Sequence, residues 1–178
     1  MSKIVRTDFA QLRSDLWSRS LLYYMKTVFP WFVFDEIHCV IAAYLEAIAQ
    51  GNLDRLMISM PPRAGKSTMA SIAFPSWWMG KFPTDKIMQV GYGAALSKRF
   101  SRQTLGTIRS PQYQKIFPNV RLSKDAQAVA YWNIEDITQA SDLIQRGEYQ
   151  AAGVSSGIAG SGFNLGILDD PQIGRAHV

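Results

Sequence analysis

A single cysteine, Cys39, rules out an internal disulfide and fits a reducing compartment. Its apolar neighbours predict a small core residue on a helix face. The sequence has no cysteine/histidine cluster, no Gly-x-Ser-x-Gly element, no internal repeat and no heptad run. Those absences exclude zinc-finger, serine-hydrolase, solenoid and coiled-coil readings. No stretch is suited to spanning a membrane: the longest apolar region, Val28 to Tyr44, is broken by Pro30, Asp35, Glu36 and His38. The N-terminus is mixed and charged, without a secretory signal.

What remains is the composition of one domain. A chain of 178 residues buries about 70% of its extended-chain surface. The net charge of +5 is compatible with a nucleic-acid partner without requiring one.

Apolar residues at three- and four-residue steps predict a helix over Thr7 to Val28, ended by Pro30. Asp35 is the expected N-cap of a second helix, Glu36 to Gln50, with Gly51 as its stop. His38 opens that helix, either as a partly buried surface histidine or as a contact near a nucleotide base. Arg55 to Met60 reads as a strand, Ser67 to Trp78 as a helix, and Gly80 with Pro83 as a turn. Lys86 to Tyr92 reads as a second strand, and Gly93 opens a third helix, Ala94 to Arg109, which Ser110-Pro111 breaks. One turn of helix is expected over Tyr113 to Phe117. Strands are expected over Ala128 to Ile134 and Tyr149 to Val154, pairing antiparallel, with Glu135 to Gln145 as loop. The alternation of strand and helix argues for an α/β fold with a mainly parallel sheet flanked by helices.

The stretch that carries chemistry is Met60-Pro61-Pro62-Arg63-Ala64-Gly65-Lys66-Ser67-Thr68, between the first strand and the next helix. Gly65-Lys66-Ser67 ends a Walker A motif, whose backbone amides cradle phosphates at the positive end of a helix. Lys66 would reach the β- and γ-phosphates, and the Ser67 hydroxyl would ligate Mg²⁺. Met60 stands where the motif has its first glycine, and Pro61 and Pro62 stiffen the loop. Near the other end, a glycine-rich stretch from Gly153 to Gly162 leads into an apolar strand, Phe163 to Leu168, closed by Asp169-Asp170-Pro171. This is the Walker B pattern: Asp169 would hold the Mg²⁺ shell, and Asp170 would orient or deprotonate the attacking water. Lys98, Arg102 and Arg109, on one face of the third helix, are read as a solvated face, with a phosphate-facing stripe as the alternative.

Taken together, the Met60–Ser67 loop, Phe74-Pro75-Ser76-Trp77-Trp78-Met79-Gly80, Gly91-Tyr92-Gly93-Ala94 and the run from Gly157 to Pro171 resemble the N-terminal ATPase half of the large terminase subunit of tailed bacteriophages. The resemblance spans about Phe34 to Pro171. It accounts for Met60, because the family replaces the glycine-rich part of Walker A with Pro-Pro-Arg. It implies an ASCE, RecA-like P-loop NTPase that hydrolyses ATP with Mg²⁺ and pumps double-stranded DNA into a procapsid. The implied partners are the portal protein, the small terminase subunit and further copies of the chain on the portal. The implied place is the host cytoplasm, without a membrane.

Under the resemblance, Pro62 to Thr68 bind nucleotide, Ser67 and Asp169 bind metal, Lys66 and Asp170 are catalytic, and Arg63 is a same-subunit phosphate contact. Many members have glutamate where Asp170 stands. Residues 1–33 form an N-terminal helical region and 34–171 a partial ATPase domain, with the family's nuclease domain absent. Ile173 to Val178 read as ATC GGA AGA GCA CAC GTC, a stretch of a common sequencing adapter, so 172–178 are expected to be non-native. The implied strand after Walker B, which inserts between the strands of Walker A and Walker B, is then missing. A gap or an abnormal pairing is expected there, and an inactive, poorly soluble fragment. Competing readings are a helicase-like P-loop ATPase, a small-molecule kinase, and a nucleotide-binding switch without turnover.

Overall fold

The computed structural model describes residues 16–138, 146–154 and 162–169. Its architecture is α/β. Five strands form one sheet in the order β2-β3-β4-β1-β5: β1 (Lys86–Gly91), β2 (Val120–Ala128), β3 (Tyr131–Asp136), β4 (Gly147–Gly153) and β5 (Leu165–Asp169). The sheet is mixed rather than mainly parallel. β4, β1 and β5 run parallel, whereas β2-β3-β4 form an antiparallel meander at one side. The reason is local: Val129 and Ala130 make a tight hairpin inside the segment expected as one strand, Ala128 to Ile134, so β3 starts after it and runs on to Asp136. The expected antiparallel partnership with the Tyr149 strand is present, as β3 with β4.

The helices are α1 (Leu21–Val28), α2 (Glu36–Ala49), a π-helical segment (Thr68–Ala73) running into α3 (Phe74–Lys81), α4 (Ala94–Arg109) and α5 (Pro111–Ile116). The first expected helix is interrupted at Ser20, which is extended. Glu46 of α2 explains the break, accepting from Leu21 N at 2.6 Å and from Ser20 Oγ at 3.1 Å, so a carboxylate caps α1 from outside. The part of that expectation over Thr7 to Asp15 lies outside the described residues. Asp35 caps α2 as expected, and Gly51 ends it with φ 73°. Cys39 is exposed on α2, contrary to its expected core position, because the inward stripe falls on Ile41, Ala42 and Leu45.

The π-helical segment meets Pro75. The Phe74 amide bonds to Met69 O, five residues back, and this wider turn accommodates a proline that lacks an amide hydrogen. Gly80 belongs to α3 rather than to a turn: Phe117 carbons lie 2.4 Å from where its Cβ would be, so only glycine lets α5 close on α3. One core runs through the molecule, centred on Trp77, Trp132, Tyr24, Tyr113, Tyr149 and Phe74, with Trp132 stacked on Tyr149 at 4.5 Å.

The largest departure from expectation is Arg55–Met60. It forms no ladder with the sheet, although Leu56, Ile58 and Met60 turn inward and alternate with exposed neighbours as a strand's residues do. Among the described residues β5 pairs with β1 on one side only. A cavity of about 590 Å³ lies between Arg55–Ile58 and β5. Among the described residues a gap therefore stands at the place where one was expected.

Candidate functional site

The chain leaves Met60 and turns sharply through Arg63, with φ 64°, and Gly65, with φ 80°. Left-handed backbone carries a steric cost at arginine that glycine escapes. Helical structure begins at Lys66, so the loop delivers its amides to a helix N-terminus. Met60 is half-buried against the core, and its φ is not positive, so the first-glycine position requires no glycine here.

A cavity of about 840 Å³ opens over this loop. Pro62, Arg63, Ala64, Gly65, Lys66, Ser67, Thr68 and Asp169 all line it. Lys66 Nζ stands 3.9 Å from Asp169 Oδ1, with the lysine a third exposed and the carboxylate 6% exposed. Asp169 ends β5, and its other oxygen accepts from Ser71 Oγ of the π-helical segment at 2.9 Å. A cation, a hydroxyl and a buried carboxylate thus converge from two distant stretches of sequence. Asp170 lies outside the described residues, as do most of the glycine-rich stretch and 171–178.

His38 is more buried than a surface histidine, and it lines the same cavity. It is 8% exposed, and both ring nitrogens are engaged by backbone. Asp35 N donates to Nδ1 at 2.9 Å, and Nε2 lies 2.9 Å from Ala64 O. Asp35 and His38 together make a capping box, with histidine where glutamate or glutamine is usual. The ring also packs edge-on against Phe32 at 5.0 Å.

Three further residues were not assigned to the site from sequence. Trp31, two-thirds exposed, lines the cavity beside Phe32 and Val33. Arg99 of α4 also lines it, whereas its neighbours Lys98, Arg102 and Arg109 on that helix were read as one stripe. Ser71 holds Asp169. Only Arg99 carried a signal, its charge; the other two depend on contacts far along the chain.

Among the described residues no group of three histidine, cysteine, aspartate or glutamate side chains forms a metal site by itself. The donor set fits Mg²⁺ held with phosphate oxygens: one carboxylate, Asp169, and one hydroxyl, Ser67, beside the loop that opens the helix. No helix among the described residues is long and apolar enough to cross a membrane. Set against protein-family models, curated proteins and solved structures, the chain has no match in any of the three.

Proposed function

We propose that the chain is the ATPase part of a large terminase subunit, a P-loop NTPase that uses ATP and Mg²⁺ to drive double-stranded DNA into a procapsid. The observation that carries this reading is the meeting of Lys66 with Asp169 in the cavity that Gly65 and Ser67 also line. Walker-type chemistry needs that pairing of loop and strand-end acid. The motif resemblance supplies the packaging context, including the portal protein, the small terminase subunit, assembly of copies on the portal, and the host cytoplasm.

Bound MgATP supplies the phosphoanhydride bond and a divalent charge. The loop amides at the start of the helix and the Lys66 ammonium bind phosphate oxygens. Ser67 and Asp169 would hold the metal, and burial of Asp169 beside Ser71 fixes which of its oxygens faces the cavity. Asp170 takes the role of orienting or deprotonating water, and Arg63 that of a same-subunit phosphate contact.

The test is ATP binding by the purified chain with and without Mg²⁺, beside Lys66→Ala. Mg²⁺-dependent binding that Lys66→Ala loses is expected; equal binding by the variant overturns the site. DNA uptake by portal-bearing procapsids, given the complete motor, separates a packaging ATPase from a helicase-like one.

A further inference from the structure

We infer that His38 is a positioning residue for the phosphate loop, acting through the Ala64 carbonyl. The inference rests on the nucleotide-binding reading of that loop but is carried by separate geometry. The Asp35 amide can only donate, so Nδ1 of His38 is an acceptor and the ring proton sits on Nε2. Nε2–H then donates to Ala64 O, 26 residues away in sequence. One neutral ring closes the N-terminus of α2 and ties that helix to the loop. The next residue, Gly65, is held from the same side: a Cβ there would lie 2.7 Å from Phe32 Cζ and 3.2 Å from His38 Nε2. The bond and the packed ring therefore hold the loop where its backbone turns left-handed.

This arrangement explains histidine at the third position of α2. Glutamate would close the capping box equally well, but its carboxylate has no proton to donate and would face the Ala64 carbonyl oxygen. Glutamine offers both an acceptor and a donor. The two substitutions therefore separate a helix cap from a loop brace.

The experiment compares the whole chain with His38→Glu, His38→Gln and His38→Ala. Amide hydrogen exchange, without nucleotide, is followed at Ala64 and Met69, which donate to Pro61 O and Gly65 O within the loop. It is also followed at Cys39, which donates to Asp35 O at the helix start. His38→Glu is expected to leave Cys39 exchange and the unfolding midpoint near wild type. It should speed exchange at Ala64 and Met69 roughly 3- to 10-fold, the worth of one neutral hydrogen bond. His38→Gln restores slow exchange, and His38→Ala loses protection at both places. Affinity for ATP with Mg²⁺ should follow the loop amides, not the cap.

Wild-type exchange at Ala64 and Met69 in His38→Glu overturns the brace. So does ATP affinity unchanged in His38→Glu while the wild type binds. If neither the wild type nor any variant binds ATP, the nucleotide reading fails and exchange alone decides the brace.

Discussion

Ser71 Oγ donates to Asp169 Oδ2 at 2.9 Å, joining the helix that leaves the Met60–Thr68 loop to the end of β5 across 98 residues of sequence. Both groups are buried, Ser71 at 1% and Asp169 at 6% exposure. The bond has two consequences. It satisfies one oxygen of a carboxylate that burial would otherwise penalise, and it leaves Oδ1 toward Lys66 and the cavity.

Ser71→Ala should therefore destabilise the chain by about 1.5–3 kcal/mol, the range for a hydrogen bond to a charged group. Denaturant unfolding of the two proteins measures it. On the proposed function, the same variant also weakens Mg²⁺-dependent ATP binding, because Asp169 loses the contact that orients it. A stability loss no larger than that of an exposed serine would show that Asp169 is held by something else.

Arg99 and its neighbours on α4 should behave differently. Arg99 lines the cavity, whereas Lys98, about 100° round the helix, and Arg102 are exposed and do not line it. Arg109 donates to Gln127 Oε1 at 3.1 Å and so is partly occupied. Arg99→Ala is expected to weaken ATP binding, with Lys98→Ala and Arg102→Ala near wild type. The triple alanine variant of Lys98, Arg102 and Arg109 should leave the salt dependence of DNA binding unchanged, as a solvated face would. A slope reduced by about 0.9 log units per residue removed would instead assign those residues to duplex phosphates.

Three fully buried tyrosines predict alkaline lability. Burial raises the Tyr24 phenol well above its ordinary value, against a smaller opposing effect of its bond to Ser76. Tyr113 is raised by burial and by the neighbouring Tyr24, and Tyr149, whose hydroxyl donates to Gln89 Oε1, is raised by burial. Each folded-state value lies above the unfolded one, so the folded chain keeps protons that the unfolded chain releases. The stabilisation is fully present below the unfolded value of about 10. Above it, stability falls by about 1.4 kcal/mol per pH unit for each tyrosine. Denaturant midpoints measured on both sides of that pH should show the fall, with the phenolate absorbance of these three rings emerging only on unfolding. Full phenolate titration in the folded chain, with no loss of stability, would contradict their burial.

Much of the helical framework was legible because it is locally punctuated. Gly93 and Pro111 bracket α4, and Asp35 and Gly51 bracket α2, by chemistry confined to a few residues. The loop and Asp169 were legible because their motifs combine residue type with spacing. The strand β2 was not, since an edge strand with Arg121, Lys124, Asp125 and Gln127 has too few apolar residues to mark a period of two. Arg55–Met60 has the strand's alternation yet no ladder, because a partner is a matter of the far chain rather than of the segment. The bonds of His38 to Ala64 and of Ser71 to Asp169 were not legible for the same physical reason: each reaches a group many residues away, and neither residue type announces it.

The open side of β5 predicts self-association. Leu168 is 67% exposed on β5 and Met57 93% exposed on the unpaired Arg55–Met60 segment, with Phe163 also exposed at 55%. The strand's free amides and carbonyls on that side have no ladder partner among the described residues. Such an edge is a template for pairing with another chain, and lysine on it is the usual deterrent. Leu168 is the position of choice, because Leu165 and Ile167 turn into the core and their replacement would unfold the strand instead. The purified chain should therefore sediment as a concentration-dependent mixture of monomer and larger species, and Leu168→Lys should shift it toward monomer at unchanged unfolding midpoint. A second substitution, Met57→Lys, changes an exposed side chain on the neighbouring Arg55–Met60 segment and should do the same if that segment is part of the adhesive surface. A wild-type chain that stays monomeric across the dilution series would show that the gap is closed in solution, by rearrangement of Arg55–Met60 against β5. That rearrangement would change the distance between Lys66 and Asp169, so a loss of ATP binding alongside monomeric behaviour distinguishes it from a gap that is open and inert.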